Sequence, residues 1–257
     1  MQWAGIDLAW GSVNTTAAVM LEFKEGSLVV SSWADDLTDN SSICSWLAGQ
    51  DRQEGLVIGI DAPLVVSNFV GERPCETTLR RCFGRYEAGP LPANRTLFKN
   101  DVRGERLVQH LARYGITRGG SYLPRQQNVR TCYEVFPHTA HVALFHLVKT
   151  LKYKAGTGRT RETRLLAYEQ LIEYIANVNL GGSPLMPPSW LRVPHELRGA
   201  RLKRFEDTVD ALVCAFTAAY LWWWGNGERC RIVGDANGEH IVVPITPELA
   251  RCLDRVV

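Results

Sequence analysis

The chain has 257 residues, of which 46% are hydrophobic and 22% are charged, which is enough apolar material for the core of an ordinary globular protein. We predict a single domain over 1–257 with a long insertion over 62–130, because this length suits one large domain. No apolar run approaches the roughly 18 residues that a membrane span needs, and no basic segment of a signal peptide opens the sequence. We therefore expect no membrane association.

The seven cysteines are scattered along the chain and form no CxxC pair. This pattern argues against a disulfide framework and against a structural zinc site, because both are recognised by characteristic cysteine spacings. The expected location is therefore a reducing cytoplasm, where Cys75 and Cys82 would be packed thiols.

The net charge of +2 says little about ligands, but the charges are unevenly distributed along the chain. Residues 1–72 hold ten acidic side chains against Lys24 and Arg52, whereas residues 73–130 hold eleven arginines and Lys99 against four acids. A second basic stretch covers residues 149–164. An acidic part beside an arginine-rich part suits a protein that binds a metal and a polyanion, although solvated helix faces would give the same pattern.

Apolar periodicity predicts an α/β protein with a mixed sheet flanked by helices. Strands are expected over 2–9, 15–23 and 27–33, followed by a helix over 40–50 and a strand over 55–61 that is buried on both faces. Residues 62–130 are rich in Gly, Pro and Arg, and only 103–114 resembles a helix there. The later predicted elements are a strand over 130–136, helices over 138–149 and 162–176, a loop over 181–194, a helix over 207–224 and a hairpin over 232–244.

Five carboxylates stand at strand or helix ends, or inside an apolar strand. Asp7 and Asp61 end predicted strands, and Glu134 interrupts an otherwise apolar one. Asp207 and Asp210 are placed at the start of the helix over 207–224, where residues three apart share a face. With the predicted topology, all five project from one end of the sheet.

Carboxylates gathered in this way suit Mg²⁺ or Mn²⁺, because hard cations prefer oxygen ligands and offset the mutual repulsion of the acids. We therefore predict the five acids as metal ligands and catalytic residues. Asp7 alone could instead form a turn, and Asp207 and Asp210 could be a helix cap and a first-turn acid. Asp61 and Glu134 are harder to explain in that way, because a buried carboxylate is costly without a partner.

A resemblance to a known family rests on several segments spread over nearly the whole chain: GIDLAWG, IGIDAPL, ERPCETTLRRCFGR, YEVFPH, LKYK, EDTVDALVCAFTA and GDANGEHIVVP. Together they resemble the predicted RNase H-like nucleases, a family formerly described only as a domain of unknown function. The resemblance implies an RNase H-like fold related to the RuvC-type resolvases. It also implies that Asp7, Asp61 and an aspartate of EDTVDA bind metal. The predicted meander, helix and buried strand follow the opening order of that fold.

The resembling segments also contain residues that could contact a nucleic acid. Arginine can bind phosphate through two parallel hydrogen bonds, lysine adds positive charge, and histidine could shuttle a proton. The predicted substrate-binding residues are Arg73, Glu76, Arg80, Arg81, His138, Lys152 and Lys154. For each of them, a salt-bridged surface is the alternative.

The leading hypothesis is metal-dependent hydrolysis of phosphodiester bonds in RNA or DNA. One alternative is an ATP-binding phosphotransferase with the actin–hexokinase topology, in which the segment 7–16 would hold Mg-ATP. That group generally needs two duplicated halves and glycine-rich phosphate loops, which a chain of 257 residues hardly accommodates. A second alternative is a nucleic-acid-binding relative without catalysis. The tryptophans at 222–224 suit a domain edge or a homodimer contact.

Overall fold

The computed structural model describes residues 1–11 and 14–256. Its strands are β1 (Gln2–Asp7), β2 (Thr16–Lys24), β3 (Ser27–Leu37), β4 (Leu56–Asp61), β5 (Thr117–Arg118), β6 (Arg130–Glu134), β7 (Asn179–Leu180), β8 (Ser183–Met186), β9 (Cys230–Gly234) and β10 (His240–Pro244). Its α-helices are α1 (Asn40–Gln50), α2 (Pro74–Phe83), α3 (Arg103–Ala112), α4 (Pro137–Leu144), α5 (Arg161–Ala176), α6 (Gly199–Trp224) and α7 (Pro247–Val256).

The main sheet has eight strands in the order β5-β6-β4-β1-β2-β3-β8-β7. Strands β1, β2 and β3 form an antiparallel meander, whereas β4 and β6 continue the sheet parallel to β1. The predicted α/β fold with a mixed sheet flanked by helices is therefore confirmed. The predicted hairpin near the C-terminus is also confirmed, as the two-stranded sheet of β9 and β10.

Side chains alternate between two cores on opposite faces of the sheet, as strand geometry requires. On one face, Trp3 and Val57 pack with α6, and we call this side the α6 face. On the other, Ile6 and Ile60 pack with α1 and α3. The parity of a residue along β1 or β4 therefore decides which helices it meets.

Two glycines let α6 lie directly on the sheet. A Cβ atom on Gly5 would lie 1.8 Å from the carbonyl oxygen of Ala211, and one on Gly59 would lie 2.4 Å from that of Cys214. Real Cβ atoms do not approach backbone so closely, so both positions need glycine for packing. Gly5 and Gly59 are register partners in β1 and β4, so the helix crosses both strands at the same level.

Three predictions about the helices are wrong. Helix α6 begins at Gly199 rather than at Asp207, because Leu202 and Phe205 already bury its first turns against the core. Helix α4 ends at Leu144 instead of reaching residue 149. Helix α2 was expected to be irregular, but it forms behind a proline at its first position and Glu76 accepting a hydrogen bond from the backbone N–H of the N-cap residue.

The expectation that Cys82 is a packed thiol is also wrong, because Cys82 forms a disulfide with Cys252. The bond joins α2 to α7 across 170 residues of sequence, and the Cα atoms of the two cysteines are 5.7 Å apart. Local cysteine spacing could not reveal such a distant pair. Cys75 is a buried free thiol, as predicted. Within residues 1–11 and 14–256, none of the helices combines the length and apolarity that crossing a membrane requires.

Candidate functional site

Three aspartates converge at one end of the sheet. Asp7 and Asp61 are register partners at the carboxyl ends of the adjacent parallel strands β1 and β4. Each follows its close-packed glycine by two residues, so both side chains point to the α6 face. Asp210 reaches them from α6, and one carboxylate oxygen from each of the three lies within 4.8 Å of the others.

The close packing of α6 explains why Asp210 arrives at this level. Ala211 is the residue that meets Gly5, and Asp210 immediately precedes it in the helix. Asp7 lies two residues beyond Gly5 on the same face of the strand. The contact at Gly5 therefore brings the carboxylate of Asp210 beside that of Asp7. The two glycines and the helix therefore position all three acids as one rigid unit.

Burial and mutual repulsion make this cluster reluctant to carry its full negative charge. Burial, followed by the charges of Asp61 and Asp210, raises the pKa of Asp7 well above its ordinary value of 3.8. Burial is also the largest influence on Asp61 and raises its pKa to about 7, although Lys154 partly offsets this shift. A cation placed among the three aspartates would relieve both penalties.

Asp210 is the aspartate of the cluster whose charge is best compensated. The hydroxyl of Tyr153 donates a hydrogen bond of 2.5 Å to its Oδ1, and the ammonium of Lys154 forms an ion pair with its Oδ2. Burial would raise the pKa of Asp210, but Lys154 and the neighbouring histidines hold it below its ordinary value. Sequence reasoning named Lys154 and overlooked Tyr153, although both belong to the LKYK segment.

Asp207 lies one helical turn before Asp210 and faces the same cluster. Lys203, four residues earlier on α6, forms an ion pair with its carboxylate. Burial nevertheless raises the pKa of Asp207, an effect that Lys203 only partly offsets. Neither Asp207 nor Asp210 lies in the first turn of α6, which begins at Gly199, so neither caps the helix.

Glu134 lies near the cluster but points to the opposite face of the sheet. It is the register partner of Ile60, one residue before Asp61, so it faces the α1 and α3 side. There the guanidinium of Arg73 binds both of its oxygens at 2.5 and 2.8 Å and also binds Glu76. Both Arg73 and Glu76 are about 1% exposed, so these predicted substrate-binding residues form a buried ion network.

Apart from Lys154 and His138, the other predicted substrate-binding residues lie away from the aspartates. Arg80 forms an ion pair with Glu72, Lys152 forms one with Glu87, and Arg81 is exposed. His138 lies behind Tyr153 and accepts or donates a hydrogen bond of 3.1 Å with Thr150, and burial lowers its pKa to about 4. It is therefore neutral at physiological pH. The segment 7–16, considered for nucleotide binding, lies partly outside the described residues at positions 12 and 13.

The donor set fits a hard divalent cation. All three converging ligands are carboxylates, the oxygen donors that Mg²⁺ and Mn²⁺ prefer. Among the described residues, the Oδ2 atom of Asp7 is buried and has no hydrogen-bond partner, which is costly unless something else binds it. Asp7 and Asp61 could hold the ion directly, with Asp210 beside it.

The fold and the site define an α/β protein with a buried aspartate cluster that could hold a metal ion. A family model described as "Protein of unknown function (DUF429)" matches residues 5–237, which include all three aspartates. The chain therefore belongs to this family. No curated protein and no solved structure shows a significant match to the chain.

Proposed function

We propose that the protein is a metal-dependent nuclease that hydrolyses phosphodiester bonds of a nucleic acid. The observation that carries this proposal is the convergence of Asp7, Asp61 and Asp210, which have carboxylate oxygens within 4.8 Å of one another. The raised pKa values of Asp7 and Asp61 and the compensated charge of Asp210 are expected of an acidic site that binds a cation. Mg²⁺ and Mn²⁺ are the cations that suit the donors.

The order of strands supports a relation to the RNase H-like fold and, through it, to the RuvC-type resolvases. An antiparallel meander of β3, β2 and β1 is followed by the parallel strands β4 and β6, and α1 connects β3 to β4. This is the order that the sequence resemblance implies. Asp7 and Asp61 lie at the carboxyl ends of the two adjacent parallel strands, an edge at which α/β proteins commonly bind ligands.

Bound metal would activate water and stabilise negative charge on the phosphate oxygens. The chain supplies the rigid geometry: Asp7 and Asp61 on strands, and Asp210 on a helix that packs on those strands. In the hydrolysis, water adds to phosphorus and one phosphorus–oxygen bond breaks, leaving a phosphate monoester and a hydroxyl.

Exposed cations on the first half of α6 provide a path for the polynucleotide. Arg201 and Arg204 are exposed and precede Asp207 and Asp210 on the same helix, and Lys203 between them pairs with Asp207. Phosphate contacts of this kind supply affinity without sequence preference. Several arginines of the insertion over 62–130 are instead used internally, so the α6 cations are the stronger candidates.

Aromatic side chains near the cluster could stack on unpaired bases. Trp10 is 52% exposed and lines the same small cavity as Asp61. Trp33 is 44% exposed and lines a second cavity together with Arg201 and Arg204. Base stacking on such rings is tolerant of sequence and favours single-stranded regions. We therefore propose single-stranded nucleic acid, or a single-stranded part of a structured one, as the substrate.

The experiment compares cleavage of labelled single-stranded and branched RNA and DNA by wild type, Asp7→Asn and Asp61→Asn, in Mg²⁺, in Mn²⁺ and in chelator. Asp36→Asn is the matched control, because Asp36 is an exposed aspartate of β3. We expect cleavage by wild type and Asp36→Asn with metal, and a loss of at least 100-fold in the other two variants. Equal cleavage by all proteins would refute the proposal. Nucleic-acid binding by wild type without cleavage would instead favour the non-catalytic alternative.

A further inference from the structure

Lysines compensate two of the four negative charges in the aspartate cluster. Asp207 forms an ion pair with Lys203, and Asp210 forms one with Lys154. Among the described residues, Asp7 and Asp61 form no ion pair with a lysine or arginine, so two formal negative charges are left. One divalent cation neutralises that charge completely, whereas two would leave a net positive charge on a buried site, which is costly.

Both oxygens of Asp210 are already occupied by groups of the protein. Its Oδ1 accepts the hydrogen bond of Tyr153, and its Oδ2 forms an ion pair with the ammonium of Lys154 but accepts no hydrogen bond from the described residues. Two-metal sites need carboxylates that can bind both ions, which lie about 3.5–4 Å apart. With Asp210 engaged in this way, Asp7 and Asp61 remain as direct ligands, and they suffice for one ion.

Hydrogen bonds to the backbone hold the segment that carries Lys154 next to the cluster. The guanidinium of Arg159 donates a hydrogen bond of 3.0 Å to the carbonyl oxygen of Lys154, and that of Arg164 donates one of 2.9 Å to the carbonyl oxygen of Tyr153. Tyr153 is fully buried beside it.

We propose that the site binds a single divalent cation between Asp7 and Asp61, and that the ammonium of Lys154 takes the place of a second metal ion. The inference rests on the proposed function, because it names the cation content of the same site. In the hydrolysis, the ammonium would stabilise negative charge on a phosphate oxygen from the side of Asp210.

Manganese titration tests this proposal directly. Wild type, Lys154→Gln, Lys154→Arg and Lys152→Gln are titrated with Mn²⁺, and binding is followed by calorimetry and by electron paramagnetic resonance. Lys152 is the matched control, because it belongs to the same LKYK segment but pairs with Glu87. We expect one bound Mn²⁺ with the spectrum of an isolated ion in wild type, Lys154→Arg and Lys152→Gln. Lys154→Gln should bind Mn²⁺ at least tenfold more tightly or take up a second ion that is spin-coupled to the first.

Two Mn²⁺ ions bound to wild type, or unchanged or weaker binding by Lys154→Gln, would overturn the single-cation proposal and leave the nuclease proposal standing. One Mn²⁺ bound to wild type without cleavage of any polynucleotide would have the opposite effect. Should Lys154→Gln fail to fold, the wild-type stoichiometry and spectrum decide alone. No Mn²⁺ binding by wild type would overturn both proposals.

Discussion

The contact between α6 and the sheet at Gly5 can be tested with a single methyl group. In Gly5→Ala the new Cβ would lie 1.8 Å from the carbonyl oxygen of Ala211, whereas carbon–oxygen contacts are normally no closer than about 3.3 Å. Helix and strand must therefore separate by about 1.5 Å. Overpacking of this kind costs about 1–3 kcal/mol, and we expect the upper end because the neighbour is helix backbone. For a chain of this size, about 3 kcal/mol lowers the Tm by about 6–12 °C.

Thermal denaturation followed by circular dichroism measures this change, with Gly49→Ala as the matched control. A Cβ on Gly49 would meet no atom within 4 Å, and this glycine lies inside α1, so alanine there should stabilise the protein by about 0.5–1 kcal/mol. The separation should also move Asp210 away from Asp7. A Gly5→Ala protein with the Tm of wild type would refute this account of how α6 is positioned on the sheet.

Three further predictions concern the stability of the fold. Arg73→Gln leaves Glu134 and Glu76 buried without a cation and should cost about 3–5 kcal/mol in urea unfolding, whereas exposed Arg81→Gln should be neutral. The raised pKa of Asp61 means that the folded state binds its proton more tightly, so the metal-free protein should lose stability as the pH rises from 3.8 to about 7. Asp61→Asn should reduce that loss, and an equal pH dependence of the two Tm values would contradict this. Reduction of the Cys82–Cys252 bond should cost about 2–4 kcal/mol in wild type and nothing in the Cys82→Ser, Cys252→Ser double variant, and a wild-type Tm insensitive to reductant would argue against the bond.

Much of the central sheet could be predicted because its strands are marked by local sequence. The tripeptide Gly-Ile-Asp occurs at 5–7 and again at 59–61, and each copy ends a strongly apolar strand. In each copy the glycine admits α6, the isoleucine enters the opposite core, and the aspartate ends the strand. Since both strands run in the same direction, the neighbourhood of Asp7 and Asp61 follows from their shared pattern.

The helices were harder to predict because their limits depend on tertiary contacts. The first two turns of α6 read Gly-Ala-Arg-Leu-Lys-Arg-Phe-Glu, and only Leu202 and Phe205 interrupt their polar surface. The strong apolar stripe starts later, so the sequence places the helix start near Asp207. That error made a capping role for Asp207 and Asp210 look reasonable, although both lie in the middle of the helix. The pairings of Asp210 with Tyr153 and Lys154 cross more than fifty residues, and no local pattern encodes them.

Glu134 illustrates how strand register, rather than proximity along the chain, divides acids between two roles. It ends β6 beside β4, but its register partner is Ile60 and not Asp61. Because side chains alternate with a period of two, this offset of one residue turns Glu134 away from α6 and towards Arg73. The sequence correctly indicates that a carboxylate in an apolar strand needs a partner, and the register decides that the partner is an arginine. The same rule places Asp7 and Asp61 side by side on the α6 face, where neither forms an ion pair with a lysine or arginine among the described residues. These two carboxylates are therefore the ones that a metal ion would bind.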